Sequence, residues 1–331
     1  MRLDEWWRRV CSVAPRVGLV PGPPDRPNGI TAMVRVRGAE PWVEPCLRSI
    51  QEFADEVVVL DNGATPATAD TIQRLAPCFG TRLRVERCPD LDLFALSNLG
   101  LECARQRWVI RWDADFVAHT DGDRDIRRLR EFLLALDRRR YHVVYLPAAE
   151  VAGDLVHQFP DRRVRRDGSV HTASSRARYV AVERDIPLDS LSHADRVLRE
   201  GPTLPVRFES IQLPPYYRVH EWPTVSYLHV DVKSRRHMLL RHFWLEWLRA
   251  TPDGRHPALE AWAHVGATTR WRTSDPDAAA AALVARYCEG LVPYDPVVCG
   301  PHPAMLRPYL DQRRYCVEYA DGRIVGRVEP T

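Results

Sequence analysis

The sequence predicts an α/β fold, a mainly parallel sheet flanked by helices, followed by C-terminal helices and a terminal β-hairpin. Three observations carry this expectation. Short runs rich in branched apolar residues alternate with helix-length segments from residue 30 to residue 112. Such alternation builds right-handed β-α-β crossovers and therefore parallel strands. Two aspartates, Asp113 and Asp115, stand immediately beyond the fourth apolar run.

The elements follow in order. A Pro/Gly-rich loop, PGPPDRPNG at 21–29, leads into ITAMVRV at 30–36, a buried strand. EPWVEPCLRSIQEFA at 40–54 repeats Cys46, Leu47, Ile50 and Phe53 at helical spacing, with its prolines in the first turns, where they are tolerated. EVVVL at 56–60 is a second strand that ends at Asp61-Asn62-Gly63. A helix at 67–76, a strand at 82–87, a helix at 93–107 and a strand at 108–112 complete the alternating series. Residues 124–139 read as a helix and 142–147 as a strand, whereas 150–225 is irregular and rich in Arg and Pro. A strand at 225–233, helices at 237–250 and 277–289, and a hairpin over 314–330 turning at Asp321-Gly322 close the chain.

Composition narrows the function. With 45% hydrophobic and 27% charged residues the chain is globular, and at 331 residues one α/β core with appended helices suits its length. A net charge of +3 gives no broad basic field for nucleic acid. The eight cysteines form no C-x-x-C pair, which points to reduced thiols and a cytoplasmic enzyme. Asp4, Glu5 and nearby arginines interrupt the apolar residues at the start, and no stretch reaches the roughly 18 apolar residues that span a bilayer. Trp6 and Trp7 read as a short helix packed on the body, in preference to the alternative of a membrane-surface role. Lysine occurs once, at 233, and every other Lys/Arg residue is arginine, a bias of the kind high-G+C coding produces.

In a parallel sheet, ligands bind beyond the carboxyl ends of the strands. The loops after 36, 60 and 112 therefore share a cleft that gathers Arg35, Arg37, Asp61, Asn62, Asp113 and Asp115. Carboxylates at i and i+2 just past a strand can converge on a hard divalent cation through oxygen. Asp61 either accepts hydrogen bonds from the N–H groups of a base or caps its own turn. Alternation over 225–233 puts Tyr227, His229, Asp231 and Lys233 on one face, either a functional polar face or a solvated edge. Lys233 offers a compact charge for a diphosphate. The arginines of DRRVRRDG at 161–168 either clamp phosphate or belong to a solvated loop.

Together, MVRVRGAEPWVEPCLRSI, ADEVVVLDNGATPAT and FALSNLGLECARQRWVIRWDADF resemble the nucleotide-binding half of family 2 glycosyltransferases, over residues 29–117. The resemblance implies the GT-A fold, a Mn²⁺ or Mg²⁺ ion and a GDP- or UDP-linked sugar. It also implies that Asp61 touches the base, Asp113 the ribose or metal, and Asp115 the metal. A late histidine completes the metal shell in many enzymes of this fold, a role that His229 fits. Two departures stand out: Gly38 replaces a usual Asn, and Pro66 replaces an acid. The Q-x-x-R-W signature of processive synthases is absent.

Three parts follow from this reading: an N-terminal helix and loop at 1–28, a nucleotide-sugar-binding catalytic domain at 29–235, and a helical extension with hairpin at 236–331. An inverting transferase needs a carboxylate to deprotonate the acceptor hydroxyl of a small molecule or glycan. Glu221, Asp161 and Asp154 are the candidates, in a region that also holds His157, His171 and His220 and is expected to close over the sugar. A nucleotide-sugar mutase or isomerase that needs no acceptor is the alternative on the same scaffold. A non-catalytic binding module is disfavoured, because clustered carboxylates destabilise a fold that gains no metal.

Overall fold

The structure, a computed structural model, describes residues 3–23, 25–38, 40–89, 91, 93–159, 176–183, 216–250, 258–288, 291–310, 316–320 and 323–328. Two compact units emerge. The first comprises Met1–Ala149, Asp161–His229 and Pro296–Arg307; the second comprises Glu150–Pro160, Val230–Asp295 and Pro308–Thr331.

In the first unit, helix α1 (Leu3–Cys11) precedes a series of strands and helices: β1 (Ile30–Gly38), α2 (Val43–Ser49), β2 (Glu56–Ala64), α3 (Pro66–Phe79), β3 (Leu83–Arg87), α4 (Leu93–Cys103) and β4 (Trp108–Asp113). Next come the short β5 (Phe116–Ala118), α5 (Ile126–Ala135) and β6 (His142–Pro147). β7 (Ala149–Ala152) and β8 (His157–Gln158) belong mainly to the second unit, and the first resumes with β9 (Arg176–Glu183) and β10 (Arg218–Glu221). The main sheet has the order β10-β6-β9-β4-β1-β2-β3. Every neighbouring pair is parallel except the two made by β9. The mainly parallel sheet read from the sequence is therefore the one observed, in a Rossmann-like arrangement. Residues 150–225 hold more regular structure than expected, because β9 and β10 both lie there; 160–175 and 184–215 fall outside the described residues.

Helices cover both faces of this sheet, which is why its central strands β1, β2 and β4 are largely apolar. Ile30, Ala32, Val34 and Val36 of β1 pack with Cys46 and Leu47 of α2 and Ile50 just after it, Ile72 and Leu75 of α3, and Leu129 and Leu133 of α5. Met33 faces the opposite way, toward Val58, Leu60, Leu96 and Leu101. There α4 presses closely: a Cβ built on Gly100 would lie 1.9 Å from Met33 Sδ. α2 and α4 are shorter than the expected helices. At α4 the reason is visible. The Arg105 amide donates to Glu56 (2.8 Å) and the Gln106 amide to Thr31 Oγ1 (3.2 Å), drawing the chain off the helix axis toward β4.

In the second unit, the chain runs from the end of β11 (Tyr227–Asp231) through α6 (Arg235–Ala250), α7 (Leu259–Trp271), α8 (Pro276–Cys288) and β12 (Val292–Pro293). Leu239 and Phe243 of α6 pack against Ala263 and Ala267 of α7 and Ala279 and Ala280 of α8. Strands β13 (Cys316–Ala320) and β14 (Arg323–Val328) pair antiparallel as the expected hairpin; its turn residues, 321 and 322, fall outside the described residues.

Candidate active site

Parallel pairing brings the expected cleft residues side by side. In register, Arg35 of β1 sits beside Asp113 of β4, and Val36 sits beside Asp61 of β2. Arg35 donates to Asp113 Oδ1 from Nε at 3.0 Å and from Nη2 at 2.6 Å, and from Nη1 to Ser97 Oγ at 3.1 Å. Arg111 lies two residues before Asp113 and therefore on the same strand face, with Nη2 3.4 Å from Asp113 Oδ2. Both guanidiniums are largely buried, 10% and 11% exposed, so Asp113 serves as their shared counter-ion.

Beyond Asp113 the chain makes a tight turn through Ala114 and Asp115 into β5, closed by Trp112 Nε1 donating to the Phe116 carbonyl at 3.1 Å. β5 pairs antiparallel with β11, setting Phe116 opposite His229. Trp112, Phe116 and Tyr227 form an aromatic wedge with ring centroids 4.9–5.7 Å apart, which fixes that register. Because Asp115 precedes Phe116, its carboxylate is delivered to His229, with Oδ2 3.3 Å from Nε2 and the side chains 6% and 12% exposed. Asp115 and His229 each offer a ligand atom here, and Asp231 follows two residues along the same strand, on the same face.

Asp231 is held from the helical unit. Arg241 of α6 donates to its Oδ1 at 2.7 Å, and the Tyr287 hydroxyl of α8 donates to its Oδ2. Glu150 Oε1 stands 3.3 Å from the same hydroxyl, and Lys233 Nζ 4.0 Å from Asp231 Oδ1. Burial, and then the Asp231 and Glu150 charges, push the Tyr287 phenol well above its ordinary range, so it stays a donor. The face Tyr227, His229, Asp231, Lys233 is thus no solvated edge: Tyr227 and Asp231 are buried and Lys233 is 7% exposed.

Other expected site residues have local partners. Asp61 Oδ1 accepts from the Gly63 and Ala64 amides at 3.1 and 2.8 Å, so this carboxylate caps its own turn at the end of β2. Asn62 exchanges two hydrogen bonds with the backbone of Leu91, at 2.8 and 3.1 Å, and thereby ties down the loop before α4. Arg37 is half-buried on β1, two residues beyond Arg35. Asp154 accepts from the Val156 amide at 2.8 Å and lies 2.9 Å from His157 Nδ1 with both oxygens, the geometry of a partner to that imidazole. Glu221 ends the edge strand β10, and nothing of its side chain is described; Asp161 and His171 fall outside the described residues. His220, expected over the sugar, lies instead in β10, with Nε2 3.0 Å from His142 Nδ1, because that part of the chain is a strand rather than a loop.

The two departures have backbone reasons. Gly38 adopts φ +68°, a left-handed conformation that glycine and asparagine tolerate best. Pro66 begins α3 behind the Thr65 cap, where a missing amide costs nothing. Arg111, Tyr287 and Glu150 were missed by the sequence reading. Arg111 carried a usable signal, its i−2 spacing from Asp113; the other two reach Asp231 only through tertiary structure.

Residues 31–171 match the model of glycosyl transferase family 2. No curated protein matches the chain. Among solved structures, S. aureus TarS 1-349 in complex with UDP-GlcNAc aligns at 15% identity with a TM-score of 0.43, covering 78% of this chain and 72% of that one. S. aureus TarS aligns at 13% identity with a TM-score of 0.40, over 78% of this chain but only 43% of that longer protein.

Proposed function

We propose, on the premise that residues 31–171 carry a glycosyl transferase family 2 domain, that the chain is a metal-dependent glycosyltransferase acting on a nucleoside-diphosphate sugar. One observation carries the reading: Asp115 and His229 meet at 3.3 Å just past the carboxyl end of β4, and Asp231 follows two residues along the same face of β11. Two carboxylates and an imidazole suit a divalent cation that accepts mixed oxygen and nitrogen donors, Mn²⁺ more readily than Mg²⁺. When bound, such an ion offsets the charge that develops on the departing diphosphate. Arg35 and Arg111 set two guanidinium groups, which pair well with phosphate oxygens, at the same strand ends. Asp113 in this reading orients the arginines, and the ligand role passes to Asp115, His229 and Asp231. The acceptor is a hydroxyl of a small molecule or glycan.

The test is incubation of the purified protein with Mn²⁺ and a panel of UDP- and GDP-sugars without acceptor, read by chromatography and mass. The expected result is slow, metal-dependent release of nucleoside diphosphate from one donor, abolished in Asp115→Asn. A product of unchanged mass would mean rearrangement of the donor and replace transfer with a mutase reaction. No turnover of any donor, together with no calorimetric binding of UDP or GDP, would remove the proposal.

A further inference from the structure

Residues 6–19 present an unusual surface. Among the described residues, the exposed large hydrophobic side chains concentrate here: Trp6, Trp7, Val10, Val13, Val17 and Leu19 are 39–78% exposed, whereas the others are valines scattered singly at 85, 156, 265 and 297. Trp6, Val10, Val13 and Val17 follow i, i+4, i+7, i+11, one side of a helical path. That path continues beyond α1, since the Ala14 amide donates to Cys11 O at 2.9 Å and the Val17 amide to Val13 O at 3.2 Å.

The segment is also anchored. Ser12 is buried, with Oγ donating to Arg9 O at 2.8 Å and accepting from Arg140 Nη1 at 3.1 Å. Tyr141 donates to Pro21 O at 3.2 Å. The inner side is fixed to the fold while the apolar side faces out.

Positive charge gathers beside this face, although the whole chain carries only +3. Arg9, Arg16 and Arg139 are exposed, Arg138 is exposed and paired with Asp25 at 2.8 Å, and Arg140, 16% exposed, contacts Ser12 and pairs with Asp137 at 3.3 Å. Residues 1–20 add Arg2 and Arg8 to Arg9 and Arg16, against only Asp4 and Glu5. The arginines feel one another: burial, and then the charges of Arg140 and Arg9, lower the hold of Arg218 on its proton. The Arg139 amide, and then Arg16 and Arg140, hold the Asp137 carboxyl below its usual range.

We infer that residues 6–19, with Arg9, Arg16, Arg139 and Arg140, form a docking face for an anionic lipid surface, which the chain grips without crossing. Tryptophan and valine suit the boundary between headgroups and acyl chains, and arginine pairs with headgroup phosphate while its stem covers apolar surface. A second copy of the chain is a poorer occupant, because a two-fold contact through this face sets the same arginines against each other.

The test uses the full chain and sedimentation with vesicles of phosphatidylcholine alone or carrying about a third phosphatidylglycerol. Binding to the anionic vesicles is expected to exceed that to neutral ones by roughly tenfold or more and to fall with salt. Trp6→Ser combined with Trp7→Ser, at exposed positions that leave the circular dichroism unchanged, is expected to lose at least about tenfold in partitioning. Arg9→Gln and Arg139→Gln are each expected to lose roughly fivefold on anionic vesicles alone. Equal binding to both vesicle types, binding to neither, or a doubled solution mass that the tryptophan variant abolishes would each overturn the inference; the last would give the face to a second copy.

Discussion

The two aspartates that flank Ala114 are expected to fail in opposite ways. Asp113 is the counter-ion of Arg35 and Arg111, receiving two hydrogen bonds from Arg35 at 3.0 and 2.6 Å and lying 3.4 Å from Arg111. Asp113→Asn takes from two largely buried guanidiniums the carboxylate that Arg35 hydrogen-bonds and Arg111 faces. Removing one partner of a fully buried pair costs about 3–5 kcal/mol. Asp113 is 26% exposed, so water offsets part of that, and the Asn carbonyl still accepts one bond. A loss of about 2–3 kcal/mol of stability follows, with Mn²⁺ affinity changed by no more than about threefold. Asp115→Asn removes a carboxylate only 6% exposed. The apoprotein is expected to keep or slightly gain stability, because one buried charge is gone, while Mn²⁺ affinity falls by at least about tenfold. Urea unfolding without metal and Mn²⁺ calorimetry on both variants separate the two effects. If Asp113→Asn lost metal binding as fully as Asp115→Asn while unfolding at the wild-type urea concentration, the division of labour argued here would be wrong.

Burial, and then the neighbouring charges of His220, Arg107 and Arg218, hold the His142 imidazole down at about 3. Its folded pKa lies below the unfolded value near 6.5, so its contribution to stability is complete above that value and is lost as pH falls toward 3. Between pH 7 and 4.5 the loss from this group is about 2–3 kcal/mol, and His142→Gln is expected to flatten the urea-midpoint profile over that range; parallel profiles for variant and wild type would show that the imidazole carries no linkage. At Gly100 an added methyl meets Met33 Sδ at 1.9 Å and Leu60 Cδ1 at 2.9 Å. Gly100→Ala is expected to cost about 1–3 kcal/mol despite its gain in helix propensity, seen as a lowered melting temperature; an unchanged one would mean that α4 sits more loosely on the sheet.

The first half of the fold was legible because parallel strands covered on both faces must be continuously apolar. β1, β2 and β4 advertise this in Ile30–Val36, Val57–Leu60 and Trp108–Trp112. Asp115 and His229 were legible from strand ends and alternation. The hydrogen bonds that Asp61 and Asn62 make to the backbone were not, since a polar side chain beside a turn serves the backbone as readily as a ligand. β9 reads RARYVAVE, which says nothing of a place between β4 and β6, because that pairing joins distant parts of the chain. α7 went unread because the buried residues it brings are Ala263 and Ala267, too small to mark an apolar stripe. Tyr287 reaches Asp231 across residues that no local pattern connects.

The place of β9 has a consequence for how the protein is made. β4 has β1 on one side from early in synthesis, and among the described residues the strand on its other side is β9, which lies beyond Asp161. Until the ribosome has released Glu183, β4 keeps an open row of amides and carbonyls. Such an edge invites pairing with another chain. A fragment cut after β6 would carry that edge permanently, so recombinant pieces ending near residue 150 should precipitate where the whole chain stays in solution, and co-translational folding must wait for a strand that arrives late and runs the opposite way.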